Sequence, residues 1–304
     1  MQTTSHLLMI RPANFGFNAE TAVNNAFQVP GQDQNAQERA AAEFDGFVDK
    51  LRKNGVDVTV VNDSAEPYTP DSIFPNNWIS FHTGGTICLY PMFAENRRKE
   101  RKPKVIDTIA EKFRVSHTVD LSFYEDESVF LEGTGSMVLD RNKKIAYACL
   151  SPRTDLKALN EFGERMDFDI VAFVSVDDAG REIYHTNVMM CIADSYAVIC
   201  LDSIPDKKQR QLVTDTLINS GKKIIPINPD QMNEFAGNML QVQNATGEKI
   251  LVMSSRARRS LNEDQVKDLE SFNRILDSSL DTIEINGGGS ARCMMAEVFL
   301  EVKR

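Results

Sequence analysis

Hydrophobic and polar positions follow one repeating order along the chain: an amphipathic helical stretch, an apolar strand, a loop, then further apolar runs. Ala36 to Asn54 carries apolar residues at helical spacing, stops at Gly55 and runs into VDVTVV. The same order returns four times. Lys104 to Phe113 leads into Val115 to Val119, Asp155 to Met166 into DIVAFVSV, Asp206 to Ser220 past Gly221 into IIPI, and Asn262 to Ser279 into DTIEI. The predicted strands centre near Val60, Ser116, Ala172, Ile225 and Ile283, so the unit repeats every 53 to 58 residues.

After each of these strands comes a loop and a polar residue that is expected to open the next strand: Asn77, Glu132, Asn187, Asn238 and Cys293, at intervals of 55, 55, 51 and 55. In four units a short turn and a second apolar strand follow, as in RNKK before IAYACL and TGEK before ILVMS. The fifth unit lacks that partner because the chain ends at Arg304, and His6 to Arg11 (HLLMIR) supplies the missing strand. The expected fold is therefore an α/β propeller of five blades over residues 1–304, one domain closed by its N-terminal strand, which leaves no exposed end edges. Two ordinary α/β domains are the competing architecture. Residues 14–35, rich in Asn, Gln and Gly, fall outside the period and read as a lid or a long surface loop.

Composition narrows the function classes. With 34 Lys+Arg against 44 Asp+Glu the formal charge is −10, which repels a phosphate backbone and favours a small-molecule partner over nucleic acid. No stretch approaches the roughly 18 apolar residues of a membrane span, and the start lacks a basic, then apolar, leader, so a soluble cytoplasmic protein with no membrane partner is expected. A homo-oligomer is left open. Five cysteines without CxxC spacing, and four scattered histidines, suggest neither disulfides nor a metal. Cys88, Cys149, Cys191 and Cys200 lie in apolar runs as small hydrophobes.

Cys293 differs, because it follows the polar stretch NGGGSAR. Gly287 to Gly289 disfavour regular structure and let backbone N–H groups approach a ligand, and the Arg292 cation beside a thiol favours the nucleophilic thiolate. A glycine turn before a strand that happens to begin with Cys is the plainer alternative. His185 and Asn187 alternate in YHTNVMM and would face one side of an extended strand. Glu132, in VFLEGTGS, is an acid entering an apolar strand and needs a cationic or hydrogen-bonding partner there. DSIFPNNW, from Asp71 to Trp78, reads as a loop dipping towards the axis. RRKERKPK, Arg97 to Lys104, reads as a solvated connection or helix start, and His6, His82 and His117 gain no role from spacing.

Together these residues resemble the guanidine-modifying superfamily of the pentein fold: arginine deiminases, dimethylarginine hydrolases, agmatine deiminases and amidinotransferases. GGGSARCM resembles the family's glycine-rich loop and cysteine, HTN its H-x-D strand, and LEGTG the glutamate one blade earlier. The resemblance implies Cys293 as nucleophile, His185 as general acid/base and Glu132 as their partner. Substrate contacts are implied for Asp71, Phe74, Asn76 and Asn77 in the D-x-x-F-x-x-D-like segment, with Asn187, Asn238 and Arg292 around the axis. No metal or organic cofactor is implied.

Where arginine deiminases grip a guanidinium with two aspartates, this chain has Asn77 and Asn187. A carboxylate about 4 Å from a cation is worth roughly 4 kcal/mol at an effective dielectric near 20, whereas amides suit a neutral ureido group that both accepts and donates. The chain thus looks most like the bacterial citrulline-utilisation branch, expected to hydrolyse citrulline to ornithine, carbon dioxide and ammonia. A guanidino substrate, taken by a deiminase, dimethylarginine hydrolase or amidinotransferase, is the alternative, and a non-catalytic binding ring is the third.

Overall fold

The helices form where the caps and apolar spacing place them. In the computed structural model, which describes residues 1–29 and 35–303, α1 (Ala36–Lys53) buries Ala40, Phe44, Phe47, Val48 and Leu51 and ends on three cations that suit the helix dipole. α2 (Pro103–Lys112) begins on a proline. Asp155 caps α3 (Leu156–Met166), and Asp206 caps α4 (Lys207–Asn219), each through its side-chain oxygen.

The fifth helix departs from expectation. A capping box between Asn262 and Gln265 starts α5 (Glu263–Glu270), which ends nine residues before the predicted Ser279. The strand is Arg274–Ser278 instead, and the expected strand DTIEI lies in a helix, α6 (Asp281–Gly287). The alternating apolar pattern misled because Glu284 is buried as fully as Ile283, its carboxylate accepting from Ser290 Oγ at 2.6 Å. The carboxylate of Glu43 on α1 caps α6 by accepting from the backbone N–H groups of Thr282 and Ile283. No neighbouring residue of α6 reveals that cap.

Among the described residues, fifteen strands form five sheets of three. β1 (His6–Arg11) pairs in parallel with β2 (Asp57–Asn62). The next sheets are β3 (Ile79–His82), β4 (Thr86–Leu89) and β5 (His117–Asp120), then β6 (Val138–Asp140), β7 (Ile145–Cys149) and β8 (Asp169–Phe173). They are followed by β9 (Met190–Ile192), β10 (Tyr196–Ile199) and β11 (Lys223–Pro226), and by β12 (Leu240–Gln243), β13 (Lys249–Ser254) and β14 (Arg274–Ser278). In each, a hairpin makes the antiparallel inner pair and a helix returns the chain for the parallel outer strand. β15 (Ala296–Glu297) has no hairpin partner and pairs antiparallel with β1, as the ring reading requires. Inner elements of successive blades touch in cyclic order, with β15 on β3, β6 on β9 and β9 on β12.

The five polar residues do not open strands. Asn77, Asn187 and Cys293 lie in single helical turns, Pro75–Asn77, Thr186–Met189 and Ala291–Met294, while Glu132 caps Gly133–Ser136 and Asn238 precedes β12. His185 caps its turn, so it and Asn187 are placed by a bend and not by strand alternation. These turns are where the chain reverses at the axis to enter each inner strand. No helix is long and apolar enough to cross a membrane among the described residues.

β1 carries the closure. Leu7 packs into the cluster under α1 with Phe44 and Phe47, and Leu8, on the opposite face, packs with Trp78, Ile79 and Ala296. Both are fully buried. Leu8→Ala is expected to destabilise the protein by about 2–5 kcal/mol, measured by denaturant unfolding. A change as small as a surface substitution, about 0.5 kcal/mol or less, would mean that the closing strand does not support the ring.

Candidate active site

The axial turns stack closely because glycine leaves room between them. A Cβ on Gly135 would lie 2.4 Å from Asn77 Nδ2 and 2.8 Å from His185 Nδ1, so only glycine lets the Glu132 turn fit between those of Asn77 and His185. GTG is thus a packing device. The run Gly287 to Gly289 packs in the same manner: Gly287 ends α6, and a Cβ on it or on Gly289 would strike the Phe74 ring. These glycines bring Phe74 against the Cys293 turn.

Cys293 is buried, not set in an open polar loop. Its Sγ receives Asn238 Nδ2 at 3.2 Å and Asn187 Nδ2 at 3.4 Å. Asn238 is itself fixed, since its Nδ2 also donates to the Asn187 carbonyl at 2.9 Å and its Oδ1 accepts from Arg292 N at 3.0 Å. Two amide donors thus converge on the sulfur, placed to stabilise negative charge that develops there. The Arg292 guanidinium turns away, to the Met295 carbonyl and to Glu297 Oε2 at 2.9 Å, so it does not flank the thiol as the sequence suggested. The other four cysteines are free and buried, and burial pushes Cys88, Cys149 and Cys191 up to about 12.

His185 Nε2 lies 2.8 Å from Glu132 Oε2. Burial works against ionising Glu132, but Arg153, the His185 hydrogen bond and Arg97 outweigh it and hold the carboxyl well below the usual carboxylate range. Phe93 N donates to its other oxygen at 3.0 Å. Burial lowers His185 to about 4 despite the Glu132 carboxylate, so at neutral pH the imidazole is uncharged and can accept a proton.

Two arginines complete the cavity, and the sequence reading missed both. Arg97, expected in a solvated run, is buried and donates to Asn77 Oδ1 at 2.7 Å, to both oxygens of Glu100 at 2.9 and 3.0 Å, and to the Phe74 carbonyl at 3.2 Å. Glu100, from the same run, is buried and burial pushes it up to about 7. Apart from an acid three residues after Arg97, nothing in RRKERKPK distinguishes these two from neighbours that are half-buried or exposed. Arg153 lies over the Tyr184 ring at 4.9 Å and meets Glu132 at 3.5 Å.

Asp71 Oδ2 accepts from Asn18 Nδ2 at 2.8 Å and Thr21 Oγ1 at 3.1 Å, its Oδ1 has no partner, and burial raises the carboxyl. Asn18 and Thr21 belong to residues 14–29, of which Thr21 and Asn25 line the cavity; residues 30–34 of that segment, read from the sequence as a lid or a long surface loop, lie outside the described residues. Asn24 Oδ1 and the Thr21 carbonyl occupy the Arg153 guanidinium. The lining includes Thr21, Asn25, Asp71, Phe74, Asn77 and Arg97 on one side and Arg153, Tyr184, His185 and Cys293 on the other. Asn76 lies just outside, its Oδ1 accepting from Asn77 Nδ2 at 3.1 Å. The space left for the centre of a water is about 10 Å³, room for a single molecule. No group of three metal-ligating side chains occurs among the described residues.

A ring of five α/β blades with a buried cysteine, histidine and glutamate at its axis defines the guanidine-modifying pentein enzymes, hydrolases of C–N bonds among them. The chain belongs to the family described as N,N dimethylarginine dimethylhydrolase, eukaryotic, which matches residues 11–300. Among solved structures it is similar to the substrate-bound N-terminal domain of ArgZ, an arginine dihydrolase from the ornithine–ammonia cycle in cyanobacteria. The TM-score is 0.77 at 18% identity, covering 97% of this chain and 98% of that one. Full-length ArgZ gives 0.76 at 18% identity over 98% of this chain, which spans only 41% of that larger protein. A dimethylarginine dimethylaminohydrolase adduct with 4-chloro-2-hydroxymethylpyridine gives 0.66 at 15% identity, covering 97% and 99%. No curated protein is significantly similar in sequence.

Two outcomes are expected from this geometry. Asn238→Ala should slow iodoacetamide alkylation of Cys293 at pH 7 several-fold, as expected when one charge-assisted hydrogen bond is lost, with the other cysteines unlabelled; an unchanged rate would show that the amide does not support the thiolate. Because folded His185 binds its proton only near pH 4, the unfolded chain takes one up first. The stability due to neutral His185 is therefore present above about pH 6.5 and lost as pH falls towards 4. The gap in unfolding free energy between the parent and His185→Gln should narrow over that window, and a pH-independent gap would contradict the buried neutral imidazole.

Proposed function

We propose that the protein hydrolyses the ureido group of citrulline through a covalent adduct on Cys293. The carrying observation is Asn77, whose Oδ1 is already held by the buried Arg97 guanidinium at 2.7 Å. A guanidinium seated there would lie beside a fixed cation with no carboxylate in reach on that residue, and two cations about 4 Å apart repel by roughly 4 kcal/mol at an effective dielectric near 20. A neutral ureido group meets Asn77 Nδ2 as a donor to its carbonyl, while the unpartnered Asn187 Oδ1 can accept an N–H.

The steps balance with this chain's own groups. The Cys293 thiol gives its proton to His185 as sulfur attacks the ureido carbon, and ionised Glu132 stabilises the imidazolium. The bond from that carbon to the side-chain nitrogen breaks, and that nitrogen leaves as ornithine with the proton from His185. Water, activated by His185, then displaces the S-carbamoyl group to regenerate the thiol, and the carbamate released yields ammonia and carbon dioxide. Arg153 supports the substrate carboxylate and Asp71 its ammonium once Asn24, Thr21 and Asn18 are displaced, since the closed cavity holds only one water.

A guanidino substrate is the second reading. The unpartnered Asp71 Oδ1 supports it, as does similarity to a protein named as an arginine dihydrolase. Purified protein incubated separately with citrulline, arginine, methylated arginine and agmatine decides between them. Ornithine from citrulline, abolished in Cys293→Ala, is the expected result, with Asn187→Asp shifting preference towards the cationic substrates. Turnover of arginine but not citrulline would overturn the ureido reading, and turnover that survives Cys293→Ala would overturn the mechanism.

A further inference from the structure

His82 and His117, for which spacing offered no role, meet at the other end of the ring. Antiparallel pairing sets His82 opposite Thr86, and parallel pairing sets Thr86 opposite His117, so the three stand in a row across one blade. This is where β3 ends, while Asn77 and the axial turns lie where the inner strands begin. The next blade adds Arg141, which follows β6, and Lys144, which precedes β7; Phe168 comes from the loop after α3 and Phe299 from the segment after β15. They line a cavity of about 380 Å³.

The cavity concentrates positive charge that the fold compensates only in part. The Arg141 side chain is 8% exposed and shares a single carboxylate: its Nη2 is 3.6 Å from Glu297 Oε2, which Arg292 already holds at 2.9 Å. Lys144 donates to the Met166 carbonyl at 3.2 Å and pairs with no carboxylate among the described residues. Aromatic faces fix both cations, with Arg141 4.2 Å over Phe299 and Lys144 4.7 Å over Phe168. His82 Nδ1 lies 3.4 Å from Arg141 Nη1, and its Nε2 is engaged by Ser80 Oγ at 2.7 Å. Arg165 also lines the cavity but is paired with Glu161. Among the described residues Asp167 is the sole acid of the lining, in a chain whose formal charge is −10.

A buried cation is ordinarily fully paired, because taking a charge out of water without a counter-charge is costly, and Arg141 has only half of one carboxylate while the exposed Lys144 beside it has none. We propose that this cavity binds a phosphate group carried by a small molecule. A guanidinium, an ammonium, an imidazole and the hydroxyls of Thr83 and Thr86 offer more donors than the two oxygens of a carboxylate can use, and a phosphate dianion matches the half-paired Arg141 together with Lys144. The site stands independently of the reaction proposed above.

Inorganic phosphate titrated at fixed pH, with chloride holding the ionic strength, tests it through the four histidine ring signals in NMR. The ring signals of His82 and His117 should move saturably while those of His6 and His185 stay. Lys144→Met and Arg141→Met should each weaken binding about tenfold, equivalent to about 1.4 kcal/mol. The exposed Lys144 keeps the test decisive if the Arg141 variant does not fold. Absence of saturable movement, unchanged affinity in Lys144→Met, or movement confined to His185, which would put phosphate on the arginines of the active site, each overturns the proposal.

Discussion

An ionised carboxylate with no solvent exposure, Glu132, is the point on which the axis of this protein depends. A buried charge of this kind is tolerated only when cations and N–H donors surround it, and here they come from different units of the repeat. Arg97 and Phe93 follow β4, Arg153 follows β7, and His185 opens the turn before β9. The carboxylate therefore ties neighbouring blades together as well as holding the His185 imidazole. Its environment also explains why His185 stays neutral: burial disfavours the imidazolium more than one adjacent carboxylate, already shared among arginines, favours it.

Around this centre the chemistry divides between blades. Glu132 and His185 are paired with each other, while Cys293 receives its hydrogen bonds from Asn187 and Asn238, which come from the two preceding units. Five-fold repetition supplies one axial position per blade, and divergence in the residue at that position supplies the site. The segment before α1 follows the same economy of buried charge: Asn24 and Thr21 accept from the Arg153 guanidinium, and Asn18 and Thr21 donate to one oxygen of Asp71.

Much of this was legible because local signals agreed with the fold. Asp155 and Asp206 mark helix starts, Gly55 and Gly221 follow helix ends, and the period of about 55 residues located all five axial residues and the closing strand. Where sequence reading failed, the deciding partner was distant in the chain. DTIEI alternates like a strand, yet its backbone N–H groups are capped by Glu43, more than two hundred residues away. Arg97 sits in a run of cations that looks solvated, and only the return of the chain over the axis encloses it. Arg292, adjacent to Cys293 in sequence, turns its charge the other way.

The sequence by itself determined the repeat, the ring it closes into, and which residues, Cys293, His185 and Glu132 among them, stand at its axis, since these follow from a periodicity that the segments carry within themselves. Tertiary structure alone decided which charges those groups feel. Arg97 and Arg153 hold Glu132 ionised, Asn238 rather than Arg292 supports the sulfur, and the oxygen of Asn77 is already taken. The reason is electrostatic: the behaviour of a buried group is set by every charge and dipole within a few ångströms in a medium of low dielectric, and at this axis those neighbours come from separate blades.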